Sequence, residues 1–240
     1  ELSLEKKVEC DISELILGME CGGSDTTSGL ASNPTCGVAS DILVEMGGTS
    51  ILSETTEFIG AEHVVARRGI NEKVSQEILG LVRGCEERAM ALGEDIRGGQ
   101  PTPGNIEGGL TSIEEKSLGC IHKSGTAPFQ GVLQYADIPA EKGLFIMDTP
   151  GQDIESITGM VAGGAQVVIF TTGRGTPTGN PLAPVIKLTG NFHTFKNMED
   201  NIDFDVSEIV SGHKTIKEMG EKLFEEIVEV CNGKITKAEA

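Results

Sequence analysis

The sequence predicts an α/β domain of three layers, with a mostly parallel sheet between helices on both faces. Aliphatic runs of about five to seven residues alternate with amphipathic stretches of helical period, the pattern of buried parallel strands joined by crossover helices. Hydrophobic residues make up 38% of the 240, enough to fill one sizeable core. The 32 glycines fall in short clusters without a period, several of them just after the aliphatic runs. Such clusters mark loops whose backbone can approach a ligand closely.

In chain order, residues 13–20 (SELILGME) form a first strand that runs into Cys21-Gly22-Gly23. Residues 35–46 are a helix with Val38, Ile42 and Leu43 on one face, stopped by Gly47-Gly48. Residues 49–53 are a second strand. Asn71 caps a long helix whose apolar side carries Val74, Ile78, Leu79, Val82 and Met90. Residues 93–109 are rich in Gly and Pro and read as loop. Strand character returns at 143–147, 166–170 and 184–188, with a crossover helix at 154–162. The last helix, 215–231, repeats Met219, Leu223, Ile227 and Val230 at helical spacing and closes at Asn232-Gly233. The whole reads as one Rossmann-like domain over residues 13–233, with a remnant of a preceding segment at 1–12 and a tail at 234–240. The chain begins without Met or a signal-peptide core, as a piece excised from a longer protein does.

Charge narrows the function classes. There are 37 acidic and 19 basic side chains, a net charge of −18. That balance argues against a nucleic-acid partner, which requires clustered cations, and against docking on an anionic membrane. No run of 18 apolar residues is present. The six cysteines are scattered without a CxxC pair, which suits a reduced, cytoplasmic protein.

In parallel sheets, ligands sit at the carboxyl ends of the strands. Four strands here run into polar or glycine-rich loops: 21–25 (CGGSD), 53–57 (SETTE), 148–153 (DTPGQD) and 171–177 (TTGRGTP). Gly22, Gly23 and Ser24 form either a backbone cradle for an oxyanion or an ordinary tight turn, with Ser24 and Asp25 as donor and acceptor. Glu54 and Glu57, three residues apart, can share a cation or act as an acid/base pair; a helix N-terminus that favours acids is the equally weighted alternative. Arg174 between two glycines is held where it can grip a carboxylate in bidentate fashion. Lys123 follows Cys120 and His122; it reads either as a solvated lysine beside a buried cysteine or, if buried near carboxylates, as a clamp or a base. His63 and His193 have no partner at metal-ligand spacing, and His213 sits where the N-terminal turn of a helix begins. Cys10, Cys85 and Cys231 read as small hydrophobes.

Five segments in order carry a resemblance: 17–25 (LGMECGGSD) with Ser28-Gly29 and Asn33-Pro34; 53–57; Pro103-Gly104-Asn105 with Gly108-Gly109; Glu115-Lys116 through Gly119-Cys120 with Lys123; and 170–177 (FTTGRGTP). Over residues 13–233 the chain resembles the C-terminal domain of the altronate/galactarate dehydratase family, which includes the large subunit of sulfolactate sulfo-lyase. The resemblance implies a cytoplasmic, metal-dependent lyase acting on 2,3-dihydroxy acids or their relatives. Dehydration removes the proton beside the carboxylate, expels the β-hydroxyl, and leaves an enol that tautomerises to a 2-keto-3-deoxy acid; sulfo-lyase relatives expel sulfite.

On this comparison, Cys21, Glu54 and Cys120 are the metal candidates, for a divalent ion, Fe2+ first and Mn2+ second. Lys123, Glu57 and Asp25 are the catalytic candidates. Gly22, Gly23, Ser24 and Arg174 would receive the substrate carboxylate, and Asn105 and Thr172 its hydroxyls. His122 has no role. The implied partners are a small carboxylic acid, a preceding N-terminal domain or small subunit, and further copies of the chain in a homo-oligomer. With a net charge of −18, local cations and the metal must capture the anionic substrate. The reading from another class is a non-catalytic anion-binding or assembly domain, against which four polar strand-end loops stand.

Overall fold

The computed structural model describes residues 8–239. Its strands are β1 (Ile16–Gly22), β2 (Thr49–Leu52), β3 (Phe129–Leu133), β4 (Gly143–Met147), β5 (Val167–Thr172), β6 (Val185–Thr189) and β7 (Phe204–Asp205). They form one sheet in the order β3-β4-β2-β1-β5-β6-β7, and all neighbours are parallel. The helices are α1 (Asn33–Glu45), α2 (Glu62–Ala66), α3 (Glu72–Ala91), α4 (Ile96–Gly99), α5 (Pro103–Glu107), α6 (Ile113–Ile121), α7 (Asp153–Ala162), α8 (Phe192–Asn197), α9 (Ser207–Val210) and α10 (Ile216–Cys231).

Alternating strand residues feed two cores, as the pleat requires. Leu17, Met19, Ile169 and Ile186 face α1, α3 and α10. Phe145, Met147, Val168 and Phe170 face the other way, onto Ile157 and Met160 of α7. Both faces are therefore covered, one of them by much the larger core. On α10, Leu223 and Ile227 are fully buried, each contributing about 1.5–3 kcal/mol. The helix starts at a capping box in which Thr215 and Glu218 satisfy each other's backbone N–H groups.

From β1 the chain builds outward through β2 to β3 and β4 on one side, then returns to lay β5 on the other. Strand order thus reverses between β1 and β5, where parallel sheets open a crevice for ligands. The four loops singled out in the sequence all leave this carboxyl edge.

Several elements depart from the sequence reading. Residues 93–109 hold two short helices, α4 and α5, and Thr102 with Asn105 forms a capping box around Pro103. β3 and β7 escape the reading because both end the sheet: FQGVL carries Gln and Gly, and β7 has two residues. Met90 is exposed, since α3 buries only Val74, Ile78 and Val82 and its later turns run clear of the core. Cys10 and Cys231 are exposed and Cys85 is half-buried, so none of the three is a core hydrophobe; Cys36 is. The stretch set apart as a tail returns to the fold: Thr236 is buried and Lys237 N–H donates to Asp203 Oδ1. Most of the 1–12 remnant, residues 1–7, lies outside the described residues. Among the described residues no helix is long and apolar enough to cross a membrane.

Candidate active site

The loops after β1, β2, β4 and β5 enclose a cavity of about 490 Å³ with Cys21, Glu54, Glu57, Lys116, Asp153 and Arg174 in its walls. A larger groove, about 870 Å³, lies at the opposite end of the strands beside Cys10 and Cys231. Both have thiols, carboxylates and a cation in their walls, but the smaller one lies at the carboxyl edge where strand order reverses and ligands bind in parallel sheets.

Its floor is a cluster around Cys21. The Cys21 Sγ lies 3.6 Å from Cys120 Sγ and donates to Glu54 Oε2 at 3.1 Å. The same oxygen accepts the Cys21 backbone N–H at 3.0 Å and the Lys123 ammonium at 3.2 Å. Glu54 sits in the left-handed backbone region at φ 66, a conformation that costs a side-chain-bearing residue about 1–2 kcal/mol. Its backbone N–H is held by Thr149 Oγ1 at 2.7 Å. The chain then makes a short 3-10 turn, Thr55–Phe58. A regular helix here would align the two glutamates; the left-handed turn instead sends Glu54 to Cys21 and leaves Glu57 with Lys116, whose Nζ is 2.9 Å from Glu57 Oε1. Glu57 Oε2 is buried with no hydrogen-bond partner among the described residues.

Beneath this layer lies Glu20, fully buried in the middle of β1. Its Oε2 accepts hydrogen bonds from Ser53 and Ser156 at 2.8 and 2.5 Å. Burial first, and then the Glu54 charge, hold its carboxyl well above the usual range. Burial alone would lower the Lys123 ammonium, but Cys120, Cys21, Glu54 and Glu20 outweigh it and hold Lys123 well above its ordinary value. The Cys120 contact and burial push the Cys21 thiol up. At the cavity wall, burial raises the Asp153 carboxyl, with Glu155 and Glu57 adding to it.

Two glycines lie close to side chains of the site, and at Gly22 the neighbours are a buried ring and a carboxylate. A Cβ on Gly22 would lie 3.0 Å from the Asp153 carboxylate and 2.8 Å from the Phe170 ring, and one on Gly104 would occupy the Arg174 guanidinium. Arg174 therefore reaches across α5 at the rim. Its only ion pair among the described residues is with exposed Glu107 at 3.6 Å, a contact that a ligand can replace at little cost.

The other expected residues divide into two groups. Gly22, Gly23, Ser24 and Asn105 line the cavity. Asn105 is also engaged within the protein: its Nδ2 donates to Ser24 O at 2.9 Å, and its Oδ1 accepts from Thr102. Lys123, Cys120, Asp25 and Thr172 are buried behind the walls. Asp25 accepts from Thr27, Ser28 and Asn191, and Thr172 Oγ1 accepts from Gly175 N–H, so both brace loops in this structure. All four histidines are exposed.

Lys116, Asp153 and Glu20 carry no role in the sequence reading. Two of them left a signal. Lys116, Cys120 and Lys123 stand at i, i+4 and i+7, one face of a helix, and Glu20 is an acid inside an otherwise apolar strand.

The two sulfurs and an oxygen of Glu57 lie within 4.8 Å of one another. Thiolates about 2.3 Å from a tetrahedral ion sit about 3.8 Å apart, close to the observed 3.6 Å. Together with the unpartnered Glu57 Oε2, this donor set fits a divalent transition metal. Two sulfurs suit a softer ion than Mn2+, which favours oxygen.

Fold and site together define an α/β domain of enzyme type, with a polar cluster at the switch of strand order facing a cavity of small-molecule size. The chain belongs to the family described as D-galactarate/altronate dehydratase, C-terminal, whose model matches residues 12–240. It is 42% identical over 237 residues to a (2R)-sulfolactate sulfo-lyase subunit beta of Chromohalobacter salexigens, covering 96% of this chain and 60% of that protein. It is 40% identical to a galactarate dehydratase (L-threo-forming) of Escherichia coli, covering 98% and 45%. An altronate dehydratase of Bacillus subtilis is 34% identical, with 98% and 47% covered. The chain thus spans roughly half the length of the curated relatives it matches.

Proposed function

We propose that this chain is the elimination domain of a metal-assisted lyase that removes a proton from C2 and a leaving group from C3 of a 2-hydroxy acid. For a sugar acid such as galactarate or altronate the leaving group is water, and the product is a 2-keto-3-deoxy acid. For sulfolactate it is sulfite, with pyruvate as the keto acid. The observation that carries the reading is the convergence of Cys21 and Glu57 in the wall of a cavity with Cys120 directly behind them and a replaceable arginine pair at the rim.

Cys21, Cys120 and Glu57 would hold the metal, which when bound supplies Lewis-acid stabilisation of the charge that builds on the substrate. Arg174 exchanges Glu107 for the substrate carboxylate and fixes its orientation. Asp153 takes the C2 proton, its raised carboxyl placing it nearer neutrality than an exposed aspartate. Lys116 hydrogen-bonds the departing oxygen. Lys123 and Glu54 neutralise each other behind the thiols and keep Cys21 in place. The remaining length of the relatives, and the partner that the name "subunit beta" implies, would supply the other walls of the site.

The test is an anaerobic assay of the full-length parent with Fe2+ against altronate, galactarate and (2R)-sulfolactate. Keto acid with loss of water or sulfite supports the reading and names the substrate; no turnover of any 2-hydroxy acid by metal-loaded protein overturns it. Arg174→Ala should lower kcat/KM about 100-fold, roughly the loss of one charge-assisted clamp of 2–3 kcal/mol. An unchanged value removes the clamp. Asp153→Asn should abolish exchange of the C2 proton with D2O while substrate binding persists; normal exchange assigns the base elsewhere.

A further inference from the structure

We infer that Cys21 and Cys120 form an oxidant-sensitive thiol pair that closes to a disulfide when the metal is absent, and that metal and disulfide are mutually exclusive occupants of the same two sulfurs. The inference deepens the metal reading and rests on it for the exclusion alone; the pairing itself stands on geometry.

The sulfurs are 3.6 Å apart, and a disulfide requires about 2.05 Å, so an approach of about 1.5 Å joins them. Both cysteines sit one residue before the end of their elements, β1 and α6, and Gly22-Gly23 follows the first. Their environments differ. Cys21 lines the cavity, whereas Cys120 is buried behind it. Cys21 Sγ–H donates to Glu54 Oε2, a ready proton acceptor, and the Lys123 ammonium lies against that same oxygen. Cys21 is therefore the thiol that meets oxidant and Cys120 the one that resolves it.

With hydrogen peroxide the atoms balance as follows. Cys21 sulfur attacks one peroxide oxygen as Glu54 takes the thiol proton; the O–O bond breaks, giving a sulfenic acid and, after protonation, one water. Cys120 sulfur then attacks the sulfenic sulfur, the S–O bond breaks, and a second water leaves. Two thiols are oxidised to one disulfide and peroxide is reduced to two waters. The other four cysteines do not share this arrangement. Cys36 is fully buried in α1 and makes no contact with another sulfur among the described residues. Cys10, Cys85 and Cys231 lie away from the cavity.

The experiment uses the whole chain in a Cys10→Ser/Cys231→Ser background, stripped of metal with chelator and exposed to a small excess of hydrogen peroxide. Non-reducing peptide mapping is expected to find the 21–120 cross-link, 2 Da lighter than the two thiol peptides, and dithiothreitol should reverse it. Cys120→Ser should instead accumulate sulfinic acid at Cys21, about 32 Da heavier. Prior loading with Fe2+ under anaerobic conditions, or with Co2+, should suppress the cross-link at least 10-fold. If Cys21 is over-oxidised in the parent protein with no cross-link, the pairing is overturned. If neither thiol reacts while an added thiol control does, it is overturned as well. A cross-link that forms equally with metal present keeps the pair and overturns the shared-site exclusion, and with it the metal reading.

Discussion

Lys123 and Lys187 are both fully buried, yet they are held in opposite ways. Lys123 sits among Glu54, Glu20 and two thiols, which lift its ammonium well above the ordinary value despite burial. Lys187, in the middle of β6, donates Nζ to a single carbonyl, Thr178 O at 3.2 Å, and burial lowers it, with Asp203 only partly compensating. Burial of a charge does not by itself mark a functional site. What separates these two is their company: one lysine completes a charge cluster behind the cavity at the carboxyl edge, and the other tucks its tip under a loop.

Substituting the first should break the contrast most violently. Lys123→Met removes one partner of a buried pair and leaves the Glu54 carboxylate uncompensated, which should destabilise the metal-free protein by about 3–5 kcal/mol. Urea unfolding with the slope held constant measures it. A loss below about 1 kcal/mol would mean that Glu54 is neutral in the folded protein and that the cluster carries no ion pair.

The next effect tests the other half of the cluster through pH. Glu20 has a folded-state carboxyl well above the unfolded value of 4.5. Below that value both states hold the proton and the group's contribution to stability is fully present. As pH rises above it, the unfolded chain releases the proton first, so the stability that Glu20 contributes is lost progressively until the folded carboxyl also ionises. Glu20→Gln, which keeps an acceptor for Ser53 and Ser156, should therefore match the parent near pH 4 and exceed it at pH 7. The advantage should grow by up to about 1.4 kcal/mol per pH unit within the window. Parallel urea curves at the two pH values check the sign; an advantage that shrinks with pH would place Glu20 ionised in the fold.

Part of this cluster was legible in the sequence and part was not. The parallel sheet could be read from aliphatic runs and the long helices from their period, because burial on both faces leaves a strong compositional trace. Edge strands β3 and β7 left almost none. The strand-end loops converge on one edge, and Cys21, Glu54, Glu57, Cys120 and Lys123 meet there. Which glutamate keeps a free oxygen could not be read, since it depends on the left-handed backbone at Glu54, a conformation set by tertiary contacts with Thr149. Asp25 and Thr172 have the polarity of ligand-binding groups, but their hydrogen bonds are taken up by neighbouring loops. No one-dimensional pattern separates a polar side chain that faces a cavity from one that braces its wall.

Lys187 supplies the smallest effect and the sharpest control. Its side chain contributes one hydrogen bond to a carbonyl, while Asp203 is satisfied independently by the Lys187 and Lys237 backbone N–H groups at 2.8 and 2.7 Å. Lys187→Met keeps the length of the side chain and removes a poorly compensated charge, so at pH 7 it should change stability by no more than about 1 kcal/mol in either direction. The sign of the pH dependence is fixed by the lowered folded-state value. At neutral pH the ammonium is protonated in both states and the fold bears the full penalty. As pH rises toward the unfolded value of 10.5, the folded lysine loses its proton first and the penalty fades. The variant should therefore compare best with the parent near pH 7 and lose ground toward pH 10, while metal binding and turnover stay at parent levels. A Lys187→Met protein that lost turnover without losing stability would move this lysine into the site and erase the distinction drawn from its neighbours.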